Sequence, residues 1–187
     1  MPPVIGVLAL QGDFEAHGRM LRGLGAEPRE VRTPPELAGI DGLIIPGGES
    51  TVMTLGIERE GLAEPVRELA GAGTPVLGTC AGLIMLDREH LGVMDIRARR
   101  NAFGRQIRSF EADLDIDGLG GDGPLRAVFI RAPWIEEHGD PVHVLATVGD
   151  RAVAAQQGRV LAVAFHPELG ADARVHERFL ALVAEAS

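Results

Sequence analysis

Short continuous apolar runs alternate with helical patterns over the first half of the chain. Residues 4–10, Gly42–Ile45 and Val76–Thr79 are runs without charged residues, which is typical of strands buried on both faces of a parallel sheet. Each run is followed by apolar residues at helical spacing. Three successive strand-to-helix units predict a parallel, doubly wound sheet, whose ligands bind at the C-terminal ends of the strands.

The predicted helices are bounded by capping residues and glycines. Asp13, Ser50 and Asp172 are predicted N-caps, and a further helix is predicted over Ala81–Leu86. The predicted apolar faces are, in chain order, Phe14, Met20, Leu21 and Leu24; Val52 and Leu55; Leu62, Val66 and Leu69; and Val175, Phe179, Leu182 and Val183. We expect these faces to pack against the sheet.

Beyond Leu91 the pattern changes to short segments in which apolar and polar residues alternate. The segments predicted as strands lie around Ile96 and Ala98, Leu114 and Ile116, Val128 and Ile130, and over 142–148, 151–155 and 160–165. Residues 149–150 and 157–158 are typical of tight hairpin turns. The second half is therefore expected to add antiparallel strands, which gives an α/β fold with a mostly parallel central sheet.

Composition and charge exclude several classes of function. The 187 residues suit one domain over 1–187. The formal net charge of −9 argues against binding to nucleic acid or to an anionic membrane surface. All 18 basic residues are Arg. The absence of Lys excludes a Schiff-base lysine on this chain and the lysine of a Walker-type phosphate loop.

The single cysteine, Cys80, excludes an internal disulfide, and no Cys/His cluster has the spacing of a metal site. We therefore expect no bound metal. The N-terminus lacks the basic region of a signal peptide, and no window approaches the roughly 20 apolar residues of a membrane span. A cytoplasmic location is expected. The histidines expected to be surface or packing residues are His17, His90, His138, His143 and His176.

The most informative segment is GTCAG at 78–82, a GxCxG sequence between a predicted strand and a predicted helix. This is the context of a nucleophile elbow with Cys80 in place of serine. Flanking glycines permit a sharp turn, and the N-terminus of the following helix stabilises a thiolate. The Ala81 N–H would face a developing oxyanion. A lone cysteine is more often a small buried hydrophobe, but this context favours a nucleophile.

Two other segments supply candidate partners for Cys80. His166 follows the apolar run 160–165, and in extended backbone Glu168 lies on the same face, so that it could orient the imidazole. Alone, this tripeptide is commonplace at a strand end. The loop PGGES at 46–50 could supply a second oxyanion donor, or it could be a simple turn with Ser50 as a helix cap. Arg131, inside an apolar run, is expected to be buried against an anion such as a substrate carboxylate.

In combination these segments resemble the class I (triad) glutamine amidotransferases, and more specifically the PdxT/SNO family of glutaminase subunits of pyridoxal 5'-phosphate synthase. The motifs that carry the resemblance are LALQGDFEAH ending at 17, PGGEST at 46–51, GTCAGLIML at 78–86, RNAFGRQ at 100–106, SFEADL at 109–114, FIRAP at 129–133 and FHPEL at 165–169. They extend over nearly the whole chain, so the resemblance is highly specific.

The resemblance implies the three-layer sandwich of class I glutamine amidotransferases. It also implies an enzyme that hydrolyses L-glutamine to L-glutamate and ammonia without a cofactor. In this family the ammonia is channelled to a separate synthase subunit of a hetero-oligomeric complex, which builds pyridoxal 5'-phosphate (vitamin B6). The stretch between Leu86 and Arg100 is short for the family, which leaves partner contacts near it open.

Site residues are carried over from the family by position. Cys80 matches the nucleophile, His166 the general base and acid, and Glu168 the orienting carboxylate. Gly48 and Ala81 match the oxyanion donors. The positions that match glutamine-binding residues are Gly48, Glu49, Ser50, Arg100, Ile130 and Arg131. We also expect Gln11 to support the peptide between Gly47 and Gly48.

Three alternatives stay open at this point. The chain could be a glutaminase that serves another pathway, such as histidine biosynthesis. It could also be a stand-alone cysteine hydrolase or peptidase that acts without a partner. A catalytically silent subunit that regulates a partner enzyme is the third, although Cys80, His166 and Glu168 together argue against it.

Overall fold

The centre of the fold is a large mixed sheet, seen in a computed structural model that describes residues 1–104 and 108–187. The strands are β1 (Val4–Leu8), β2 (Glu27–Val31), β3 (Gly42–Ile45), β4 (Val76–Thr79), β5 (Ile96–Arg99), β6 (Ser109–Leu114), β7 (Leu125–Ile130), β8 (Trp134–His138), β9 (His143–Val148), β10 (Arg151–Gln157) and β11 (Val160–Val163). The α-helices are α1 (Phe14–Gly23), α2 (Ser50–Arg59), α3 (Ala63–Gly71), α4 (Ala81–Leu86) and α5 (Arg174–Ala186), and short 3₁₀ helices cover Pro34–Leu37 and Pro167–Leu169.

The sheet has a parallel half and an antiparallel half. Strands β2, β1, β3, β4 and β11 lie side by side in that order and run parallel. Strands β10, β8 and β5 continue the sheet in antiparallel pairing, and β9 also pairs with β10. Strands β6 and β7 form a separate antiparallel pair. Every residue of β3, β4 and β11 is buried, which explains their continuous apolar sequences.

Helices cover both faces of the parallel half. A Cβ on Gly42 of β3 would lie 2.8 Å from Phe179, so α5 packs closely on that face. A Cβ on Gly78 of β4 would lie 2.6 Å from the Gly82 carbonyl of α4. The β3–β4 register and the alternation of side chains place these two glycines on opposite faces. The predicted α/β three-layer sandwich is therefore confirmed.

Side-chain contacts assign two more helices to these layers. His17 of α1 lies 2.9 Å from His176 of α5, so these two helices share one face. Thr54 of α2 lies 3.6 Å from the sulfur of Met85 in α4, which places α2 on the other face. Among the helices of the described ranges, none is both long and apolar enough to cross a membrane.

Two strands were not anticipated, and several strand boundaries move: β10 extends to Gln157 rather than ending at 155, and β11 ends at Val163 rather than at 165. Strand β2 has a polar sequence, EPREV, because it lies at the sheet edge, where Pro28 is tolerated and only its last residue is buried. Strand β8 is short and likewise carries charged residues. The first strand ends at Leu8 rather than at Leu10. The β10–β11 turn is formed by Gly158 and Arg159, one residue later than expected.

The orientations of two helices differ from the predicted ones. In α2, Val52 and Leu55 are 47% and 60% exposed, while Met53 and Ile57 point into the core. The buried face of α2 is thus rotated by about one residue. In α1, the buried residues are Ala16, His17, Gly18 and Leu21, whereas Met20 is only half-buried. A histidine therefore occupies a core position in α1.

The helix caps also differ from the predicted ones. Glu49, one residue before Ser50, caps α2 with its side chain, while Asp13 makes no side-chain cap bond to α1. Asp172 accepts a hydrogen bond from the Arg174 N–H, two residues away, but the residue at the N-cap position of α5 is Ala173.

Candidate active site

Cys80 lies on a sharp turn between β4 and α4. Its backbone has φ 50° and ψ −111°, a conformation that residues with a side chain rarely adopt. The Cys80 N–H donates to the Val163 carbonyl at 2.9 Å, which fixes the turn against β11. A Cβ on Gly82 would lie 1.8 Å from the Ile45 carbonyl, so only glycine lets α4 begin this close to β3. The predicted elbow geometry is present.

His166 and Glu168 are brought together just after β11. The His166 N–H donates to the Val128 carbonyl at 2.8 Å, and the 3₁₀ helix Pro167–Leu169 then turns the chain back. As a result, His166 Nδ1 lies 2.7 Å from Glu168 Oε1. The Glu168 side chain is fully buried and that of His166 is 13% exposed. The contact is therefore made by a helical turn and not by the extended backbone that the sequence predicts.

The imidazole of His166 also contacts Cys80. Burial lowers the pKa of His166, but hydrogen bonds with the Cys80 thiol and with Glu168 outweigh it and raise the pKa from 6.5 to about 10. A Cβ on Gly47 would lie 2.7 Å from His166 Cε1 and 3.2 Å from Cys80 Cβ. The loop after β3 is therefore packed directly against both side chains, and His166 is an imidazolium at neutral pH.

The loop after β3 is held by the loop after β1. A Cβ on Gly12 would lie 1.7 Å from the Gly47 carbonyl oxygen, so this oxygen points into space that only glycine leaves open. Across a trans peptide the Gly48 N–H points the opposite way, away from Gly12. Gln11 Oε1 accepts from the Glu49 N–H at 2.8 Å. Gln11 thus holds the peptide after Gly48 rather than the one before it.

Glu49 combines two roles at the start of α2. Its carboxylate accepts the Thr51 N–H at 3.1 Å and the Val52 N–H at 2.9 Å. These bonds, first from Val52 and then from Thr51, lower the pKa of Glu49, which stays ionised. Arg100 lies 4.0 Å from the Glu49 carboxylate and 3.2 Å from the Thr51 hydroxyl. A pair of opposite charges therefore flanks this end of α2.

These residues surround an open cleft of about 360 Å³ in front of Cys80. Its lining residues are Gly48, Glu49, Ser50, Cys80, Ala81, Ile84, Arg100, Asn101, Arg131 and Pro133. Ile130 contributes its carbonyl oxygen, which lies 3.7 Å from the Cys80 sulfur. The cleft thus contains five of the six positions carried over as glutamine-binding, with Ile130 beside it. Two residues of the RNAFGRQ motif, at 105 and 106, lie outside the described residues.

Arg131 differs from its predicted environment. It was expected inside a strand, buried against an anion, but β7 ends at Ile130 and Arg131 is exposed with φ 46°. The positive φ at this residue ends the strand, and Arg131 lines the cleft. Its guanidinium is therefore available to a ligand.

The family model described as the SNO glutamine amidotransferase family matches residues 7–185. The chain belongs to this family. It is 51% identical over 190 residues to the pyridoxal 5'-phosphate synthase subunit PdxT of Frankia alni, with 97% of this chain and 95% of that protein covered. The corresponding subunit of Acidothermus cellulolyticus is 54% identical over 196 residues, which cover 97% of this chain and 94% of that protein.

The fold of this family member is also found in a solved structure. A crystal structure of a glutamine amidotransferase superimposes with a TM-score of 0.90 at 46% identity, and the match covers 96% of this chain and 98% of that one. The architecture of the sheet and its helices is therefore that of glutamine amidotransferases.

Three further buried residues of this family member contact the site, and the sequence did not predict a role for them there. His17 Nε2 lies 3.4 Å from Glu168 Oε2 and 3.2 Å from the Thr79 hydroxyl, and His17 Nδ1 lies 2.9 Å from His176 Nε2. His17, Thr79 and His176 are all fully buried. The available signal was a histidine within the buried helical pattern of α1 and another within that of α5, directly after Ala16 and Val175 respectively.

Both buried histidines are neutral at neutral pH. Burial, the neighbouring His176 and the His166 imidazolium lower the pKa of His17 well below 6.5. Burial lowers the pKa of His176 to about 4. Within residues 1–104 and 108–187, no group of three or more His, Cys, Asp or Glu side chains converges as a metal site.

Proposed function

We propose that this chain is a glutaminase that hydrolyses L-glutamine to L-glutamate and ammonia through Cys80, His166 and Glu168. The observation that carries the proposal is the 2.7 Å contact between His166 and Glu168, with Cys80 as a second hydrogen-bond partner of the same imidazole, beside a charged cleft that Cys80 lines. A nucleophile, a base and an orienting carboxylate in this order have the logic of a catalytic triad. Membership of the SNO glutamine amidotransferase family supports the choice of substrate.

The first half of the reaction releases ammonia. The Cys80 sulfur, beside the His166 imidazolium, attacks the carboxamide carbon of glutamine as the thiolate. The resulting oxyanion accepts the Ala81 N–H, which as the first residue of α4 has no intrahelical acceptor, and the Gly48 N–H. His166 then donates its proton to the departing nitrogen. The C–N bond breaks, and ammonia and a glutamyl thioester on Cys80 result.

The second half of the reaction releases glutamate. His166, now neutral, takes a proton from water, and the hydroxide adds to the thioester carbonyl. The C–S bond breaks, and Cys80 and His166 regain their starting protonation states. The product leaves as the γ-carboxylic acid, which gives its proton to solvent and becomes glutamate. Glu168, buried against His166, stabilises the imidazolium at both stages.

The charges at the cleft suit the head group of a free amino acid. Arg100 and Arg131 place positive charge at the lining of the cleft, and Glu49 places a carboxylate there. We assign the α-carboxylate of glutamine to the guanidinium groups and its α-ammonium to Glu49, since each ionic group then meets its opposite charge. Ser50 and the Ile130 carbonyl offer further hydrogen-bond partners.

We further propose that the ammonia passes to a separate pyridoxal 5'-phosphate synthase subunit in a hetero-oligomeric complex. The two relatives named above are themselves synthase subunits by name. The chain contains no Lys, so a Schiff base to a sugar phosphate requires another chain. A reducing compartment such as the cytoplasm suits the free Cys80 thiol.

The test is glutamate release from L-glutamine by the purified chain, with and without a compatible synthase subunit. We expect strong stimulation by that subunit and complete loss of release in Cys80→Ala, because the substitution removes the nucleophile and little volume. Circular dichroism and the unfolding midpoint serve as folding controls.

The outcomes separate the alternatives. Retained release in folded Cys80→Ala would overturn the mechanism. If a different synthase stimulates glutamate release and the pyridoxal 5'-phosphate synthase subunit does not, the glutaminase belongs to a different pathway. No release by wild type in either condition, together with no labelling of Cys80 by a glutamine-like electrophile, would indicate a silent subunit.

A further inference from the structure

A line of buried polar groups runs from the active site into the helix layer. It starts at Glu168 Oε2, passes through His17 and ends at His176 Nδ1. Within the described part of the chain, these two terminal atoms are the buried side-chain polar atoms without a hydrogen-bond partner. Buried polar groups normally have partners, so a line of them with open ends beside a catalytic carboxylate requires a reason.

The tautomers of the two histidines follow from this arrangement. Glu168 is a carboxylate and can only accept, so a proton on His17 Nε2 gives the buried Oε2 its nearest donor. His17 Nδ1 then carries a lone pair, and His176 must donate to it from Nε2. The unpartnered His176 Nδ1 becomes an unprotonated nitrogen. The opposite pair of tautomers, with the protons on His17 Nδ1 and His176 Nδ1, would leave a buried N–H donor at His176 without a partner and no His17 donor facing Glu168.

The contact between His17 and Glu168 is longer than a strong hydrogen bond. At 3.4 Å it exceeds a well-formed N–H···O hydrogen bond, and the same Nε2 lies 3.2 Å from the Thr79 hydroxyl. Thr79 is the residue before Cys80, so a single N–H faces both the elbow and the carboxylate. Such catalytic contacts commonly tighten when substrate binds.

We propose that His17 is a positioning residue, whose neutral Nε2–H orients Glu168 toward His166 and whose tautomer is fixed by His176. The proposal rests on the proposed glutaminase function. It adds His17 of α1 and His176 of α5 to the polar side chains that support the site. A neutral donor suits this place because it holds the carboxylate without cancelling the charge that stabilises the His166 imidazolium.

The experiment compares His17→Leu with His17→Gln in the complex with the synthase subunit. Leucine fills a similar volume and removes the donor, while the glutamine side-chain amide can place an N–H near the position of Nε2. We expect kcat for glutamate release to fall about tenfold or more in His17→Leu, with KM within about twofold, and to recover largely in His17→Gln. The control is Leu21→Ala, one turn further along the buried face of α1.

A spectroscopic readout tests the same idea without turnover. The short bond between His166 Nδ1–H and Glu168 is expected to give a low-field imidazole proton resonance. This resonance should shift or broaden in His17→Leu and return in His17→Gln, while Leu21→Ala leaves it in place. If His17→Leu does not fold, His176→Leu and His176→Gln provide the equivalent pair, with the lower kcat expected in His176→Leu.

The possible failures are distinguishable. Unchanged kcat and an unchanged resonance in folded His17→Leu would overturn the positioning role while wild-type activity leaves the glutaminase function intact. An equal loss of kcat in Leu21→Ala would show that disturbance of α1, not the donor, is responsible. Absence of wild-type glutamate release would contradict the proposed function, and the resonance would still decide about His17.

Discussion

At the scale of single residues, the strained backbone of Cys80 is the feature that makes the site. Its φ of 50° and ψ of −111° hold the sulfur in front of the Ile130 carbonyl and beside His166. Such a conformation costs on the order of 1–3 kcal/mol for a residue with a side chain. The surrounding strands, α4 and the bond from the Cys80 N–H to Val163 hold the residue in it.

The strain predicts an order of stability for two inactive variants. The free energy of unfolding should be about 1 kcal/mol higher for Cys80→Gly than for Cys80→Ala, because glycine adopts positive φ without steric cost. The greater entropy of the unfolded glycine chain offsets part of this gain. Urea unfolding of both variants, neither of which carries a thiol, measures the difference. A more stable Cys80→Ala would mean that the turn is not strained in solution.

The buried His176 predicts how stability changes with pH. Burial lowers its pKa from 6.5 to about 4, so between these values the unfolded state binds a proton that the folded state does not. The free energy of unfolding therefore falls as the pH falls through this window, and the loss is complete below about pH 4. The glutamine of His176→Gln does not titrate. The free energy of unfolding of this variant should therefore fall by about 3 kcal/mol less than that of wild type across the window.

Denaturant unfolding between about pH 7 and about pH 4 measures this effect. His143→Gln on β9 is the matched control, since His143 is exposed and its substitution should leave the pH dependence as in wild type. Identical slopes for wild type and His176→Gln would show that His176 does not remain neutral in the folded protein.

At the scale of elements, four of the chain segments that form the site follow parallel strands. The segments after β1, β3, β4 and β11 supply Gln11, Gly48, Cys80 and His166. Because the carboxyl ends of parallel strands share one edge of the sheet, residues distant in sequence meet there. Glycines at contact points between these segments let the backbones approach, as Gly82 does between α4 and the end of β3.

Gly82→Ala should therefore disturb both stability and the elbow. Its Cβ would lie 1.8 Å from a backbone oxygen, which cannot move aside as a flexible side chain can. We expect a loss of about 3 kcal/mol in the free energy of unfolding. Gly23→Ala, at the end of α1 with no atom within 4 Å of the new Cβ, should instead gain up to about 1 kcal/mol. Equal effects in thermal unfolding would contradict the close approach.

At the scale of the whole molecule, burial is uneven across the sheet. Strands β4 and β11 are buried along their whole length and lie between β3 and β10. In contrast, β6 alternates exposed and half-buried residues up to its buried last residue, and among the described strands it pairs with β7 alone. Segments with few buried contacts open at lower free energy than the centre of a core. The elbow is thus attached to the most protected part of the fold.

Hydrogen exchange should follow this difference. Amides of β4 and β11 are expected to exchange at least about tenfold more slowly than those of β6, because they open only when the whole molecule unfolds. Mass spectrometry of peptic fragments that cover each strand measures the rates. Protection of β6 equal to that of β4 would indicate that the β6–β7 pair unfolds together with the main sheet.

Features that are local along the chain could be predicted from the amino-acid pattern. Continuous apolar runs identified β3 and β4 because strands buried on both faces have no polar side. GxCxG identified the elbow, since glycines are required where a strand turns directly into a helix. The polar sequence of β2 gave no such signal, because an edge strand needs few apolar residues. Likewise, the buried face of α2 depends on which residues the neighbouring sheet and α4 cover.

Which polar groups meet depends on how the helices pack on the sheet. His17 and His176 are 159 residues apart, and His17 and Thr79 are 62 apart, yet they form one buried line that reaches Glu168. No local periodicity encodes such a contact, because it arises from the packing of α1 and α5 on the same face of the sheet. Sequence patterns identify which residues are chemically suited to a site. Their burial, protonation and partners depend on the packed environment that the fold creates.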